Sequence, residues 1–185
     1  GRSALDACEL MHVGVNYMRE HMPDAARIHY AYLDVGGAAP NVVQSTATVR
    51  QLIRASDNAT LRELIPRVHD IAKGAALMTG TTVTTKVYSG VSNLVGNLPL
   101  EQAMQAEFDK LGPVPFEKED EAVAEEIRKT LTTEDIAASF QRAGRQTPPE
   151  LPLCDFVAPL DRPSHGGEGS TDVGDVSWVT PTVQA

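Results

Sequence analysis

The spacing of apolar residues switches from a helical to a strand-like period early in the chain, and this switch constrains the fold more than any other feature. Between Ser3 and Met22, apolar residues recur every three or four positions, which predicts a helix with Ser3 as its N-cap. Between Arg27 and Asp34 they alternate at every second position, as in a half-buried strand. Residues 46–54 are again rich in β-branched side chains, so the sequence predicts an antiparallel strand pair.

The chain continues this alternation of helices and strands up to residue 111. Apolar residues at helical spacing follow Asp57, residues 81–89 are rich in Thr and Val, and residues 98–111 have another helical pattern. The order helix, strand, strand, helix, strand, helix is a βαββαβ layout without its first strand. The prediction is an α+β, ferredoxin-like fold with helices on one face of an antiparallel sheet, in a chain that is cut at Gly1.

Charge and proline divide the chain near residue 112. Residues 1–111 carry 10 basic and 11 acidic side chains, whereas residues 112–185 carry 6 and 14. The junction at residues 112–115 reads Gly-Pro-Val-Pro, which is typical of a turn or linker. Two domains are therefore predicted, residues 1–111 and residues 112–185. In the second, two helices are expected at residues 119–131 and 133–141, before an irregular stretch rich in Pro and Gly.

The composition argues against several classes of protein. A formal net charge of −9 disfavours binding to nucleic acid or to an anionic membrane, because phosphate contacts need an excess of Lys and Arg. No stretch reaches the roughly 18–20 consecutive apolar residues of a membrane-spanning helix. The two cysteines, Cys8 and Cys154, lie far apart in sequence, so neither a disulfide framework nor a CxxC site is available. We expect a cytoplasmic protein that binds neither nucleic acid nor membrane.

Four segments carry a family resemblance: residues 1–7 (GRSALDA), 35–43 (VGGAAPNVV), 75–81 (AALMTGT) and 169–178 (GSTDVGDVSW). Together they resemble the metal-dependent aminoacylase and carboxypeptidase superfamily, most closely its aminobenzoyl-glutamate utilization amidohydrolases. That resemblance implies a βαββαβ lid, which also forms the dimer interface, inserted into a catalytic domain with two zinc or manganese ions. Residues 1–111 look like the lid, and residues 112–185 look like the return into the catalytic domain.

The resemblance also implies roles for individual residues. Asn41 matches a lid asparagine that hydrogen-bonds the substrate, and Arg54 matches an arginine that can pair with a substrate carboxylate. Asp172 and His165 lie in the glycine-rich segment expected beside the active site. Simpler interpretations stay open: local turn chemistry for Asn41, a solvated charge for Arg54, a turn or helix cap for Asp172, and a solvated loop for His165.

The family's metal ligands fall outside these 185 residues, so no catalytic or metal-binding residue is expected within the chain and the segment alone is expected to be inactive. The first hypothesis is a segment of an amidohydrolase that cleaves aminobenzoyl-glutamate or a similar N-acyl amino acid or dipeptide. Its expected assembly is a homodimer through the lid, with a possible second subunit. A non-catalytic dimerisation module is the alternative, and a small metal site of His165, Asp172 and Asp175 is a third.

Overall fold

The computed structural model describes residues 1–145, 152–161 and 171–184. The chain divides into two compact units, Gly1–Asn93 and Leu94–Ala185. The lid boundary predicted near residue 112 falls within the second unit, after its first helix. The compactness of the two units does not show which part of the chain serves as a lid, so the lid boundary near residue 112 stays a prediction.

The first unit contains two helices and two strands in the order that the apolar periodicity predicts. They are α1 (Ala4–Arg19), β1 (Arg27–Asp34), β2 (Thr48–Arg54) and α2 (Asn58–Thr79). Ser3 caps α1, because its side chain accepts a hydrogen bond of 3.1 Å from the backbone N–H of Asp6. Asp57 caps α2 in the same way, accepting from the N–H of Thr60 at 2.8 Å. The predictions for these four elements are confirmed.

The two strands form an antiparallel hairpin whose register separates two faces. Arg27 lies opposite Arg54 and Ile28 opposite Ile53. Since directly opposed residues point to the same side and successive residues to opposite sides, Ile28 and Ile53 share the inner face and the two arginines share the other. That second face, here called the outer face, is formed by Arg27, His29, Ala31, Arg50, Leu52 and Arg54.

Both helices pack on the inner face of the hairpin. The core combines residues of α1, β1 and α2 with one from the segment before β1: Val15, Met18, Ala26, Ile28, Leu64 and Val68. The largest of these, Leu64, is only 1% exposed. Burying a side chain of that size stabilises the fold by roughly 1.5–3 kcal/mol. The α+β class, with helices on one face of an antiparallel sheet, is confirmed.

The third predicted strand, residues 81–89, is wrong: this stretch is neither helix nor strand and is almost entirely exposed. A strand is stable when a neighbouring strand accepts and donates its backbone hydrogen bonds. In a βαββαβ layout the last strand pairs with the first, and no described residue before α1 forms a strand. The Thr- and Val-rich pattern therefore has the right side chains but no strand to pair with.

The second unit is helical in its described part. It contains α3 (Leu98–Leu111), α4 (Lys118–Arg128), α5 (Thr133–Arg142) and the short α6 (Val173–Ser177). The first three match the helices predicted from periodicity, with ends that differ by at most three residues. Across the described parts of both units, no helix has the length and apolar composition needed to cross a membrane.

Candidate functional site

Arg54, predicted to contact a substrate carboxylate, is the last residue of β2 and is half-buried. Its direct cross-strand neighbour is Arg27, the first residue of β1. Opposed residues in an antiparallel pair have Cβ atoms about 4.5–5.5 Å apart, so the register places two guanidinium-bearing side chains side by side on the outer face. Arg54 was expected from the family resemblance, whereas Arg27 was not, because only the strand register shows that it lies opposite Arg54.

Backbone hydrogen bonds hold the Arg27 side chain. Its Nη1 donates to the carbonyl oxygen of Asp24 and, at 2.7 Å, to that of Ala26. Both bonds use the same nitrogen, so among the described residues they leave the Nε and Nη2 edge of the guanidinium available to a ligand. That edge offers two parallel N–H donors, which match the two oxygens of a carboxylate.

Further cations lie along the same outer face. His29 and Arg50 belong to it, and the Arg50 guanidinium lies 5.4 Å from the ring centroid of Tyr88. The ammonium group of Lys86 is 5.1 Å from the same ring. The six residues of the outer face include no carboxylate. Two arginines that oppose each other across strands point to the same side of the sheet, so both can donate hydrogen bonds to an anionic ligand there.

A shallow pocket of about 540 Å³ adjoins Arg27 at the start of β1. Arg19, Arg27 and His29 contribute the basic groups of its lining, and Asp24 contributes the single carboxylate. The Arg19 guanidinium already has a hydrogen-bond acceptor within the protein, since its Nη2 donates to the carbonyl oxygen of Ile28 at 2.6 Å. Met22, Pro23, Ala26 and Ile28 complete the lining. The pocket therefore combines apolar surface with an excess of positive charge.

Asn41 is exposed in the loop that joins the two strands. A backbone hydrogen bond of 3.2 Å from Val42 to Ala39 closes the turn around it. The loop is fastened to the start of α1, where the N–H of Ala4 donates to the carbonyl oxygen of Gln44 at 2.9 Å. Arg54 lies at the far end of the hairpin, and seven strand residues span roughly 20 Å. The structure thus does not bring Asn41 and Arg54 together.

Asp172 belongs to the second unit and lies directly before α6. It is exposed, and its Oδ1 accepts a long hydrogen bond of 3.4 Å from the Thr171 hydroxyl. Two hydrogen bonds hold Ser177 in this segment. Its buried Oγ donates to the carbonyl oxygen of Gly174 at 2.6 Å and accepts from the N–H of Val95 at 2.9 Å. The segment is therefore anchored through Ser177, which leaves Asp172 on its surface.

His165 lies outside the described residues. Within residues 1–145, 152–161 and 171–184, no three His, Cys, Asp or Glu side chains come close enough to hold a metal ion. These residues do not fit the dinuclear centre that the resemblance implies, and they carry no step that depends on a metal.

A second feature that the sequence did not predict is an aromatic cluster on the inner face, in which a buried histidine contacts two partly exposed tyrosines. His12 is 5% exposed, and its ring is stacked 3.7 Å from that of Tyr30, with Tyr32 edge-on at 4.8 Å. Burial lowers the pKa of His12, because removal from water disfavours the charged imidazolium, while nearby Glu9 opposes this effect. Its Nε2 has no hydrogen-bond partner among the described residues. This histidine is therefore held neutral in the core.

Comparison with known proteins gives relatives over the whole chain. No family model matches. The chain is 41% identical, over its full length, to a subunit of the p-aminobenzoyl-glutamate hydrolase of Escherichia coli (strain K12), and it covers 40% of that protein. It is 24% identical over 99% of its length to Xaa-Arg dipeptidase of Mus musculus, covering 33% of that protein. The human Xaa-Arg dipeptidase is 31% identical over 65% of the chain.

The chain thus spans at most two fifths of the length of these curated relatives. The identity to the bacterial hydrolase extends through both compact units, so it is not confined to one motif. This chain belongs to the amidohydrolase and peptidase family that these relatives represent.

Proposed function

We propose that this chain is a segment of a longer amidohydrolase that releases an acidic amino acid from an N-acyl group, with aminobenzoyl-glutamate or a closely similar compound as substrate. The observation that carries the proposal is the strand register, which places Arg54 directly opposite Arg27 on the outer face. Similarity to a protein named as part of a p-aminobenzoyl-glutamate hydrolase supports the same conclusion.

The charge of the outer face favours one of the two substrate types that the relatives' names suggest. A terminal glutamate presents two carboxylates, whereas an Xaa-Arg dipeptide presents one carboxylate and one guanidinium. Two unit charges 4 Å apart interact by about 1 kcal/mol in water and about 4 kcal/mol near a protein surface. The arginines would therefore attract the second carboxylate of glutamate and repel the guanidinium of an arginyl substrate.

Within this chain, the proposed contribution to the reaction is binding and orientation. Arg54 would hold a substrate carboxylate through two parallel N–H donors, which fixes the direction of the scissile amide. Asn41 would recognise an amide, because its side chain offers both donors and an acceptor without charge. Since the two residues lie at opposite ends of the hairpin, one copy of this segment cannot place both on the same small substrate. The two assignments are therefore alternatives, and each is tested by its own variant.

The remaining components belong to the proposal for the longer protein. Two divalent ions, zinc or manganese, would be bound by residues outside this chain, where they would activate water for attack on the amide. Asp172 and His165 would lie near that centre as substrate-orienting residues. The bacterial relative is named as one subunit of its hydrolase, which supports a second, different subunit as partner. We also propose a cytoplasmic location.

A homodimer is the proposed assembly, and a purely structural dimerisation module is the second candidate function. The observation behind it is the short sheet, since β2 pairs only with β1 among the described residues. An unpaired strand edge can accept a strand from a second copy. Sedimentation of the chain at several concentrations tests this idea, because a monomer at all of them would contradict it.

The decisive experiment measures hydrolysis of aminobenzoyl-glutamate by the full-length enzyme and its variants. Loss of a charge-assisted hydrogen bond costs about 1.5–3 kcal/mol, so Arg54→Ala should lower kcat/KM by roughly 10- to 150-fold, mainly through KM. Asn41→Ala should have a smaller effect. The matched control is Arg62→Ala, which removes an exposed arginine on α2 and should leave kcat/KM unchanged. An unchanged kcat/KM in Arg54→Ala would remove the carboxylate-binding role.

A further inference from the structure

We infer that Arg27 is a specificity-determining residue, which binds the side-chain carboxylate of the acidic amino acid while Arg54 binds its main-chain carboxylate. This inference rests on the proposed function and names the residue that would make the enzyme selective for glutamate over a neutral amino acid. Nothing in the sequence resemblance assigns a role to Arg27.

The register supplies the spacing that two carboxylates require. Arg27 and Arg54 are a directly opposed pair on the outer face, so their side chains leave the sheet in the same direction. A glutamate carries its two carboxylates on one short carbon chain, and two neighbouring guanidinium groups can each take one of them. A single arginine could not distinguish glutamate from glutamine, since both carry the main-chain carboxylate.

The backbone contacts of Arg27 prepare it for binding. The carbonyl oxygens of Asp24 and Ala26 hold Nη1, and Ala26 itself is 1% exposed, so the group is fastened to a buried part of the chain. A guanidinium that is already oriented loses less side-chain entropy when it binds a ligand than a freely rotating one. Its Nε and Nη2 edge then presents two donors to one carboxylate.

The pocket beside Arg27 can accommodate the side chain of the amino acid, while Arg54, which is not part of the pocket lining, would hold the main-chain carboxylate outside it. Its volume is about 540 Å³, and Met22, Pro23 and Ile28 contribute apolar surface to it. Arg19 and Arg27 outweigh Asp24, so an anion that enters the pocket meets a net positive charge even when His29 is neutral.

A purely structural role for Arg27 makes a different prediction from the specificity role. If Arg27 only fastens the turn before β1, its replacement should reduce activity on every substrate to the same extent. If Arg27 binds the side-chain carboxylate, its replacement should lower kcat/KM for the glutamate substrate alone. Aminobenzoyl-glutamine is the appropriate comparison, because it has the same shape and main-chain carboxylate but a neutral side chain.

The experiment compares both substrates with the full-length enzyme and its Arg27→Gln and Arg27→Lys variants. For Arg27→Gln we expect kcat/KM on aminobenzoyl-glutamate to fall about ten- to a hundredfold through KM, with aminobenzoyl-glutamine unchanged. Arg27→Lys should restore part of the preference, because the charge is kept and the planar fork is lost. Arg62→Gln, on the exposed surface of α2, is the control and should preserve the preference.

Other outcomes would overturn the inference. Equal losses on both substrates, or an unchanged preference in Arg27→Gln, would leave Arg27 as a turn residue while the proposed hydrolase function stands. Product inhibition of the unmodified enzyme gives an independent check that needs no variant: glutamate should inhibit more strongly than glutamine, and equal inhibition would contradict the role of Arg27. Absence of hydrolysis of either substrate by the metal-loaded enzyme would overturn the proposed function and this inference together.

Discussion

The close approach of α1 and α2 at Gly14 makes a prediction about stability that can be worked out from the structure. A Cβ atom added at Gly14 would lie 2.7 Å from Cγ2 of Ile71 on α2. Carbon atoms in favourable contact are about 3.5–4.0 Å apart, so Gly14→Ala forces a displacement. Ile71 cannot relieve it by simple rotation, because a β-branched side chain in a helix has one strongly preferred χ1 rotamer.

Two opposing terms set the magnitude. Replacing a glycine by alanine inside a helix favours folding by about 1 kcal/mol, whereas overpacking a well-packed contact costs about 1–3 kcal/mol. We therefore expect Gly14→Ala to lower the free energy of unfolding by roughly 0–2 kcal/mol. Gly74 on α2 is the matched control, because nothing lies within 4 Å of its added Cβ. Gly74→Ala should raise the free energy of unfolding by about 1 kcal/mol.

Equilibrium urea denaturation, followed by circular dichroism, measures both values. The two variants should differ by about 1–3 kcal/mol with an unchanged m-value. In an Ile71→Ala background, Gly14→Ala should raise the free energy of unfolding, because Cγ2 of Ile71 is then absent. If Gly14→Ala stabilises the wild-type chain as much as Gly74→Ala does, the helices do not approach closely at this point and the reasoning is refuted.

Two further predictions concern His12 and the loop that carries Asn41. Burial lowers the pKa of His12 below its ordinary 6.5, so the unfolded chain binds the proton more readily than the folded chain. Its contribution to stability should therefore be complete above about pH 6.5 and be lost as the pH falls toward the lower pKa of the folded state. Urea denaturation between about pH 8 and pH 5 should show a shallower pH dependence in His12→Phe than in the wild type, and an equal pH dependence in the two proteins would contradict this assignment. Gly36 has φ of 80°, and a Cβ there would collide with the carbonyl oxygen of Thr46 and lie 2.7 Å from Cβ of Gln44. Gly37 has φ of 116° with nothing within 4 Å, so Gly36→Ala should lower Tm more than Gly37→Ala and speed hydrogen exchange at the Ala4 amide, which bonds to Gln44; equal Tm values would contradict the collision.

Local sequence patterns were sufficient to predict a helix or strand where the interactions that stabilise it are between residues close together in the chain. The helical spacing after Ser3, the period-two residues of β1 and the capping Asp57 each depend on neighbours a few positions away, so α1, β1 and α2 could be predicted directly. Asn41 and Arg54 were named because of the family resemblance, not because of local periodicity. Residues 81–89 were predicted wrongly, because side-chain composition cannot show whether a partner strand is present.

Tertiary structure decided which side chains meet. The pairing of Arg27 with Arg54 depends on the exact register of two strands, and a shift by one residue would move either arginine to the opposite face. The burial of His12 depends on α1 packing against Tyr30 and Tyr32, which lie on a different element. The sequence by itself therefore determined most of the elements, because those follow from local periodicity, while the candidate residues came from the family resemblance. The outer face and its paired arginines exist only once the strands align, since strand pairing brings together residues that are far apart along the chain.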